Sequence, residues 1–106
     1  MLKMGIITGF PSQTKDRFHE YNAPLAVEEK FRLMSEIEGY DGVEIVYPYE
    51  VKDPSETRTI LDKFNLNVAA VNVNVKAEPE FRNGGLTSHD PHVRAKAVQF
   101  IKDAKD

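Results

Sequence analysis

Short β-rich runs alternate with segments of helical periodicity along the chain. Runs of mainly apolar residues occupy positions 4–9, 42–48 and 66–75, and after each run apolar residues recur every three or four positions. Strands that alternate with helices in this way are typical of βαβ units around a parallel sheet. The pattern therefore predicts an α/β chain in which residues 1–106 form a single domain or part of one.

Each predicted helix has an apolar stripe and a recognisable boundary. The first follows a long polar loop at 11–24, extends to Glu38 and is expected to end at Gly39 in a left-handed conformation. The second and third begin at Asp-Pro pairs, in which the aspartate caps the helix and the proline occupies its first turn. The stripes consist of Val27, Phe31, Met34 and Glu38; of Thr57, Ile60, Leu61 and Phe64, with Asn65 as terminator; and of Val93, Ala97, Phe100, Ile101 and Ala104.

The length of the repeating unit favours one parallel architecture. Each strand and helix takes about 35 residues, and eight such units give the roughly 250 residues of a (β/α)8 barrel. The pattern thus predicts a parallel βαβαβα arrangement, the first three units of a TIM barrel. Right-handed connections would place all helices on one face and leave Val46, Val68 and Ala70 open on the other. Because parallel sheets are seldom bare, the rest of a barrel, or another copy in a homo-oligomer, is expected to cover that face.

Two asparagines mark the carboxyl end of the third strand. Side-chain alternation directs Val71 and Val73 toward the helices and places Asn72 and Asn74 on the inner face. Barrel enzymes and open α/β sheets bind ligands at this end of their strands. The two amides are therefore candidates for binding ligand hydroxyls. The alternative is that they satisfy backbone groups of the following loop.

In the second strand, the same alternation turns Val43, Ile45 and Tyr47 toward the helices and Glu44 inward. A carboxylate inside a core requires a cation, a hydrogen-bonding network or a ligand. Because Glu44 lies early in its strand, a structural network near the floor of the barrel is favoured over a catalytic acid.

Other polar and aromatic residues are predicted to lie at the rim of the same end. Tyr47, Tyr49 and Glu50 follow the second strand on the expected upper rim, and His19 lies in the long loop after the first. Loops at this face often carry function, so these residues are candidates for a lid over a substrate. The alternative for each is a surface residue with no role in binding.

The stretch FRNGGLTSHDPHVRAKA at 81–97 contains several fragments that look catalytic. The Ser-His-Asp triplet is not expected to act as a triad, because three successive side chains diverge. His89 and His92 have no carboxylate partner at helical spacing, so they do not predict a metal site. Gly84 and Gly85 match neither phosphate-loop motif and instead permit a turn with positive φ.

Composition narrows the classes of function. The chain is 41% hydrophobic and 29% charged, as is ordinary for a globular protein, and it has no cysteine for disulfides, thiolate catalysis or zinc binding. A net charge of -3, with no basic stripe, argues against a nucleic-acid partner. No apolar run approaches the ~20 residues of a membrane span, and the N-terminus leads directly into a strand, so no membrane association and a cytoplasmic location are expected.

Three segments together resemble a known family. They are GYDGVEI at 39–45, the valine-rich third strand, and GGLTSHDPHVRAKAVQFIKDA at 84–104, which contains the pattern S-x-D-P-x-V-R-x-K-A at the start of the third helix. The chain is similar in these segments to the N-terminal part of the sugar phosphate isomerase/epimerase family, which has a xylose-isomerase-like barrel.

The resemblance implies a divalent-metal enzyme that moves a proton between adjacent carbons of a sugar or similar hydroxy-ketone through an enediolate. In that family the metal ligands and the catalytic glutamates come from the second half of the barrel. The resemblance therefore implies a metal in the complete protein but no metal ligand or catalytic residue among these positions. The candidates for contact with a carbohydrate substrate are Asn72, Asn74, Glu44, Tyr47 and His19.

Three functions remain open from the sequence. The favoured one is the N-terminal portion of a metal-dependent sugar or sugar phosphate isomerase or epimerase. A metal hydrolase on the same barrel, similar to endonucleases that cut at abasic sites, would require a basic upper face, which the acidic balance disfavours. The third is a non-catalytic half-barrel that associates with itself through its exposed sheet face.

Overall fold

The computed structural model describes residues 2–12, 14–15 and 18–106. Each of its α-helices comes after a strand in the chain. A parallel sheet has the strand order β1-β4-β5, and a separate pair of short strands, β2 and β3, is antiparallel. The elements are β1 (Gly5–Ile7), β2 (Thr14–Lys15), β3 (Glu20–Tyr21), α1 (Val27–Ser35), β4 (Gly42–Tyr47), α2 (Pro54–Lys63), β5 (Val68–Val73), a 3-10 turn (Pro79–Phe81) and α3 (Pro91–Lys105). The predicted α/β class and parallel sheet are confirmed, and the arrangement is consistent with part of a larger βαβ fold.

The central strand β4 carries the main core. Val43 and Ile45 are buried at 0% and 5% exposure, and they lie in register with Ile6 of β1 and Val71 of β5. Residues paired in register share a face, so one face of the sheet is directed toward the helices, as the alternation predicts. The buried cluster consists of Phe31, Met34, Val43, Ile45 and Leu61.

The opposite face of the sheet is open in the described part of the chain. Ala70 and Ile7 lie in register with Glu44 on this face, and both are exposed, Ile7 at 37%. This agrees with the predicted open face for Ala70, but the prediction for Val68 is wrong, because Val68 is in register with the buried Val43 and shares its face. A register shift after Val43 adds one residue to β5, a β-bulge that the sequence pattern does not indicate.

Helix α1 ends at Ser35, so the predicted extension to Glu38 is wrong. The Tyr40 hydroxyl donates a hydrogen bond to the Met34 carbonyl at 2.5 Å, and the two N–H groups after Ser35 bond to carbonyls three residues back. The carbonyls at the helix end are thus satisfied without a further α-helical turn. Gly39 has the expected positive φ, +93°, but lies in the connection to β4.

Helix α2 has the predicted boundaries. The Asp53 carboxylate accepts hydrogen bonds from the N–H groups two and three residues ahead, at 2.8 and 3.4 Å. Asn65 has φ +53°, and the N–H of Leu66 bonds to the carbonyl of Leu61 at 2.9 Å. This arrangement is a Schellman ending, which places Leu66 in the helix terminus. The strand predicted from residue 66 therefore begins at Val68.

The aromatic contacts of helix α3 are made by Phe100, which packs against the 3-10 turn and β4. Phe81 is fully buried and meets the ring of Phe100 edge-on, with centroids 5.7 Å apart. Tyr47 meets the same ring at 6.2 Å, which confirms its position on the helix side of β4. Among the described residues, no helix combines the length and apolar character needed to cross a membrane.

The Ser-His-Asp triplet directly precedes α3, and its aspartate, Asp90, is the N-cap of the helix. Asp90 Oδ1 accepts from the N–H of His92 at 2.8 Å, and the nearly buried Ser88 Oγ accepts from the N–H of Asp90 at 3.2 Å. The Arg94 guanidinium donates to the Ser88 carbonyl at 2.6 Å. These bonds satisfy the helix N-terminus and the preceding loop, as the predicted cap requires.

The segment after β1 contains a short antiparallel ladder that the sequence pattern does not predict. Thr14 pairs with Tyr21 and Lys15 with Glu20 in an antiparallel ladder. The sequence predicts a long loop there, because the segment has no apolar alternation. Pairing of two residues on each side is too short to produce such a pattern.

The two adjacent glycines before α3 have different roles. Gly84 has φ +117°, a conformation that side chains disfavour, which confirms the predicted turn. Gly85 is buried, and a Cβ there would lie 2.9 Å from the Val75 carbonyl oxygen. The second glycine is therefore required for close approach of the loop to the end of the strand.

Replacing Gly85 by alanine should lower the free energy of unfolding by about 1–3 kcal/mol, because the backbone around Val75 must shift. The matched control is Gly9→Ala, whose Cβ would meet only Ile7 Cγ2, at 3.9 Å, and should have little effect. Urea unfolding followed by circular dichroism measures both. Equal stability of the two variants would contradict the close approach.

Candidate functional site

A depression of about 610 Å³ lies over the carboxyl ends of β1, β4 and β5. It is lined by the segments that follow these three strands and by the start and first turns of α1. Its volume is typical of sites for small molecules, and its position is the end of a parallel sheet at which such sites occur. The polar lining residues that concern its chemistry are Ser12, Lys30, Glu50, Asn72, Asn74 and Lys76.

The Glu50 carboxylate is the most buried charged group of the depression, with 1% of its side chain exposed. Its Oε2 accepts hydrogen bonds from Thr8 Oγ1 at 2.5 Å and from the Val46 N–H at 2.8 Å, and its Oε1 accepts from Lys30 Nζ at 2.9 Å. A buried carboxylate needs such partners, because an unpaired charge costs several kcal/mol. Glu50 thereby joins the ends of two strands to α1.

The backbone of Glu50 is held as firmly as its side chain. Its N–H donates to the Val46 carbonyl at 2.8 Å, which closes a turn after β4, and its carbonyl accepts from Thr57 Oγ1 at 3.2 Å. Thr57 belongs to α2 and is 6% exposed. The backbone of the turn is therefore hydrogen-bonded to both β4 and α2, and this positions the Glu50 carboxylate at the end of the sheet.

Lys30 presents an ammonium group to the depression. Its side chain is 15% exposed, and Glu50 is its acceptor; within the described ranges no second acceptor reaches Nζ. An ammonium group has three N–H donors. Lys30 therefore retains the capacity to donate to an oxygen atom of a bound molecule.

Asn72 lies on the open face at the edge of the depression. Its Nδ2 donates to Glu44 Oε1 at 2.9 Å, and no donor in the described part of the chain reaches its Oδ1. Glu44 itself is half-buried and does not line the depression. The two residues form a small network on the sheet face that holds the Asn72 amide in a defined orientation.

Asn74 also lines the depression but has a local structural role. Its Oδ1 accepts from the N–H groups of Lys76 and Ala77, both at 3.0 Å, and its own N–H donates to the Tyr47 carbonyl at 2.9 Å. These are the bonds of an Asx turn that leads the chain out of the sheet. The amide oxygen is thus used by the loop, as the alternative interpretation of this residue proposes.

Tyr49 and Glu78 also line the depression. The Tyr49 hydroxyl donates to Glu78 Oε1 at 2.6 Å and connects the turn after β4 with the loop after β5. Partial burial, and then the hydrogen bond to this carboxylate, raise the pKa of the Tyr49 phenol well above its ordinary value. The phenol is therefore neutral and acts as a hydrogen-bond donor near pH 7.

Two other candidates from the sequence lie outside the depression. Tyr47 contacts Phe100 on the helix side, where burial and the neighbouring Asp103 carboxylate raise the pKa of its phenol. The ring of His19 lies 6.1 Å from that of Tyr21, beside the β2–β3 ladder. The structure brings Asn72 and Asn74 together in the depression but does not bring these two side chains to them.

The described residues do not supply a metal site. No three His, Asp or Glu side chains converge in residues 2–12, 14–15 and 18–106. In the depression, both oxygens of Glu50 already accept hydrogen bonds, and Glu78 holds Tyr49 at the rim. This donor set does not fit a divalent cation, which requires several free oxygen or nitrogen ligands.

Comparisons with known proteins leave the family undetermined. No protein-family model matches the chain, and no curated protein matches it significantly. The chemistry of the depression therefore has to be interpreted from its own residues.

One sequence signal could have identified Lys30 as part of the site. Lys30 lies between Val27 and Phe31 in the apolar stripe of α1, at the i+3 position. A lysine within an apolar stripe requires a partner when the helix packs. The identity of that partner, Glu50, depends on the fold of the turn after β4. The sequence alone therefore indicates Glu50 only as a lid candidate.

Replacing Glu50 by alanine should lower the free energy of unfolding by about 3–5 kcal/mol, because the Lys30 ammonium would remain buried without its counterion. The matched control is Asp62→Ala, which breaks the exposed pair with Arg58 and should cost less than about 0.5 kcal/mol. Chemical unfolding of both variants gives the comparison. A cost for the Glu50 variant no larger than that of the control would contradict the role of this ion pair.

Proposed function

We propose that the chain forms the first three βα units of a (β/α)8 barrel and provides one wall of a carbohydrate site in a metal-dependent sugar isomerase or epimerase. The observation that carries the proposal is the depression at the carboxyl ends of three parallel strands, lined by a fixed amide and a fixed ammonium group. Barrel enzymes bind their substrates at this end of the sheet. The resemblance of residues 39–45 and 84–104 to that family adds the reaction class.

The open face of the sheet supports the barrel part of the proposal. Ile7 and Ala70 are exposed there beside half-buried Val46, although parallel sheets are normally covered on both faces. Further strands that continue the sheet from β5 and close it into a barrel would bury these side chains and satisfy the free edges.

The proposed reaction transfers a proton between adjacent carbons of a hydroxy-ketone through an enediolate. In this proposal the residues of the present chain bind and orient hydroxyl groups: Asn72 Oδ1 accepts from one, and Lys30 Nζ donates to another. A divalent metal, when bound, stabilises the developing oxyanion. Since the described residues do not fit a metal, the proposal assigns its ligands to residues outside these 106 positions.

A second candidate function is favoured by the same exposed face. A non-catalytic half-barrel would cover Ile7 and Ala70 by association with a second copy of itself. This candidate predicts a stable dimer and no sugar binding. Light scattering together with the titration below distinguishes it from the enzyme.

If the depression is a carbohydrate site, titration of the chain with D-fructose should shift the backbone amide NMR signals of the residues around it. Asn72→Ala should weaken binding about 3- to 10-fold, the loss expected for one hydrogen bond. The control Asn67→Ala removes an exposed amide at the opposite end of β5 and should leave binding unchanged. Equal affinities of the two variants would contradict the proposed site.

The reaction class is tested separately, by hydrogen–deuterium exchange in the substrate. The full-length protein should exchange hydrogen for deuterium at the carbon next to the ketose carbonyl in heavy water, and chelation should abolish this exchange. Binding without any exchange in the presence of Mn²⁺ or Mg²⁺ would retain a carbohydrate site but overturn the isomerase assignment.

A further inference from the structure

The charges around the depression cancel. Its lining contains two lysines, Lys30 and Lys76, and two glutamates, Glu50 and Glu78. Glu50 neutralises Lys30 through a direct contact of 2.9 Å, whereas Glu78 is held by the neutral hydroxyl of Tyr49. In the part of the chain that the structure describes, Lys76 is the lining cation that makes no ion pair.

The start of α1 adds no net side-chain charge to this balance. A helix N-terminus attracts anions, and α1 begins next to the lining residue Leu25. However, its first turn carries two carboxylates, Glu28 and Glu29. Both carboxylates are already ion-paired, Glu28 with Lys63 and Glu29 with Arg32, so the first turn adds no net side-chain charge.

From this charge balance we infer that the molecule bound here is an uncharged polyhydroxylated ketone or aldehyde, and that the site discriminates against its phosphate ester. The inference rests on the proposed function and specifies its substrate class. A phosphate monoester carries about -1.5 to -2 charges near pH 7 and requires cations or several N–H donors at close range. Among its described lining residues, the depression offers one ammonium group outside an ion pair, that of Lys76, and one carboxylate outside an ion pair, that of Glu78, which repels the phosphate.

Hydroxyl groups match the remaining capacity of the lining more closely. A hydroxyl both donates and accepts, and the depression offers the accepting Oδ1 of Asn72 and the donating Nζ of Lys30. Neither contact requires the ligand to carry a charge. The Lys30–Glu50 pair thus supplies a strong donor without a net positive potential, because the two charges largely cancel at a distance.

Titration of the unmodified chain with three probes tests this inference by NMR. The probes are D-fructose, D-fructose 6-phosphate and inorganic phosphate, at constant ionic strength. D-fructose should shift the amide signals of the lining, and the phosphate ester should bind at least about fivefold more weakly, the effect of one unit charge at close range in water.

The outcomes separate the two proposals. Tighter binding of the phosphate ester than of D-fructose would overturn the inference and leave the proposed carbohydrate site intact. Failure of both sugars to shift any lining signal would overturn the proposed function and the inference with it. Binding of inorganic phosphate alone would likewise contradict both.

Single-charge variants at Glu78 and Lys76, which lie outside the buried core, give a second test. Glu78→Gln removes one negative charge at the rim and retains an oxygen acceptor for Tyr49, so the fold should persist. It should change the affinity ratio toward the phosphate ester by about fivefold, whereas Lys76→Met should change the ratio in the opposite direction. Ratios that do not respond to either substitution would overturn the electrostatic basis of the inference.

Discussion

The buried Glu50 carboxylate is the interaction on which the carboxyl end of the sheet depends. It accepts hydrogen bonds from Thr8 after β1, from the backbone of Val46 in β4 and from Lys30 in α1. A charge with 1% exposure is tolerated only when its partners are fixed, so these bonds constrain all three elements at once. The hydrogen bond from Thr57 to the Glu50 carbonyl extends the constraint to α2.

The same constraint gives the depression its chemical character. Since Glu50 holds Lys30, the ammonium group is a directed donor and not a mobile surface charge. Across the depression, the Glu44 carboxylate holds the amide of Asn72. The site consequently has preorganised hydrogen-bonding groups and little net charge, which is the arrangement expected for a neutral ligand that carries several hydroxyls.

The parts of this structure that could be predicted are those that depend on local sequence. The Asp53 and Asp90 caps, the left-handed Asn65 and the alternation along β4 follow from residues a few positions apart. The position of Asn72 at the edge of the depression follows from the same alternation. Each is determined by backbone geometry that the neighbouring residues control.

The features that the sequence did not indicate depend on contacts between distant positions or on very short pairings. Helix α1 ends early because the Tyr40 hydroxyl donates to the Met34 carbonyl, and the β2–β3 ladder pairs two residues on each side. Glu50 becomes central only when Thr8, 42 positions away in the chain, and Lys30 converge on it. Helical or strand periodicity contains no information about such convergence, although the position of Lys30 in an apolar stripe indicates that it needs a partner.

Amide hydrogen exchange of Val46 tests the central role of Glu50 most directly. The Val46 N–H donates to the Glu50 side chain at 2.8 Å, whereas the Val43 N–H donates to the backbone carbonyl of Asn67 at the same distance. If Glu50 is an integral part of the fold, both amides should exchange only through global unfolding and at equally slow rates. Rapid exchange of Val46 with continued protection of Val43 would show that the Glu50 carboxylate does not hold the end of the sheet, and would contradict the role assigned to it.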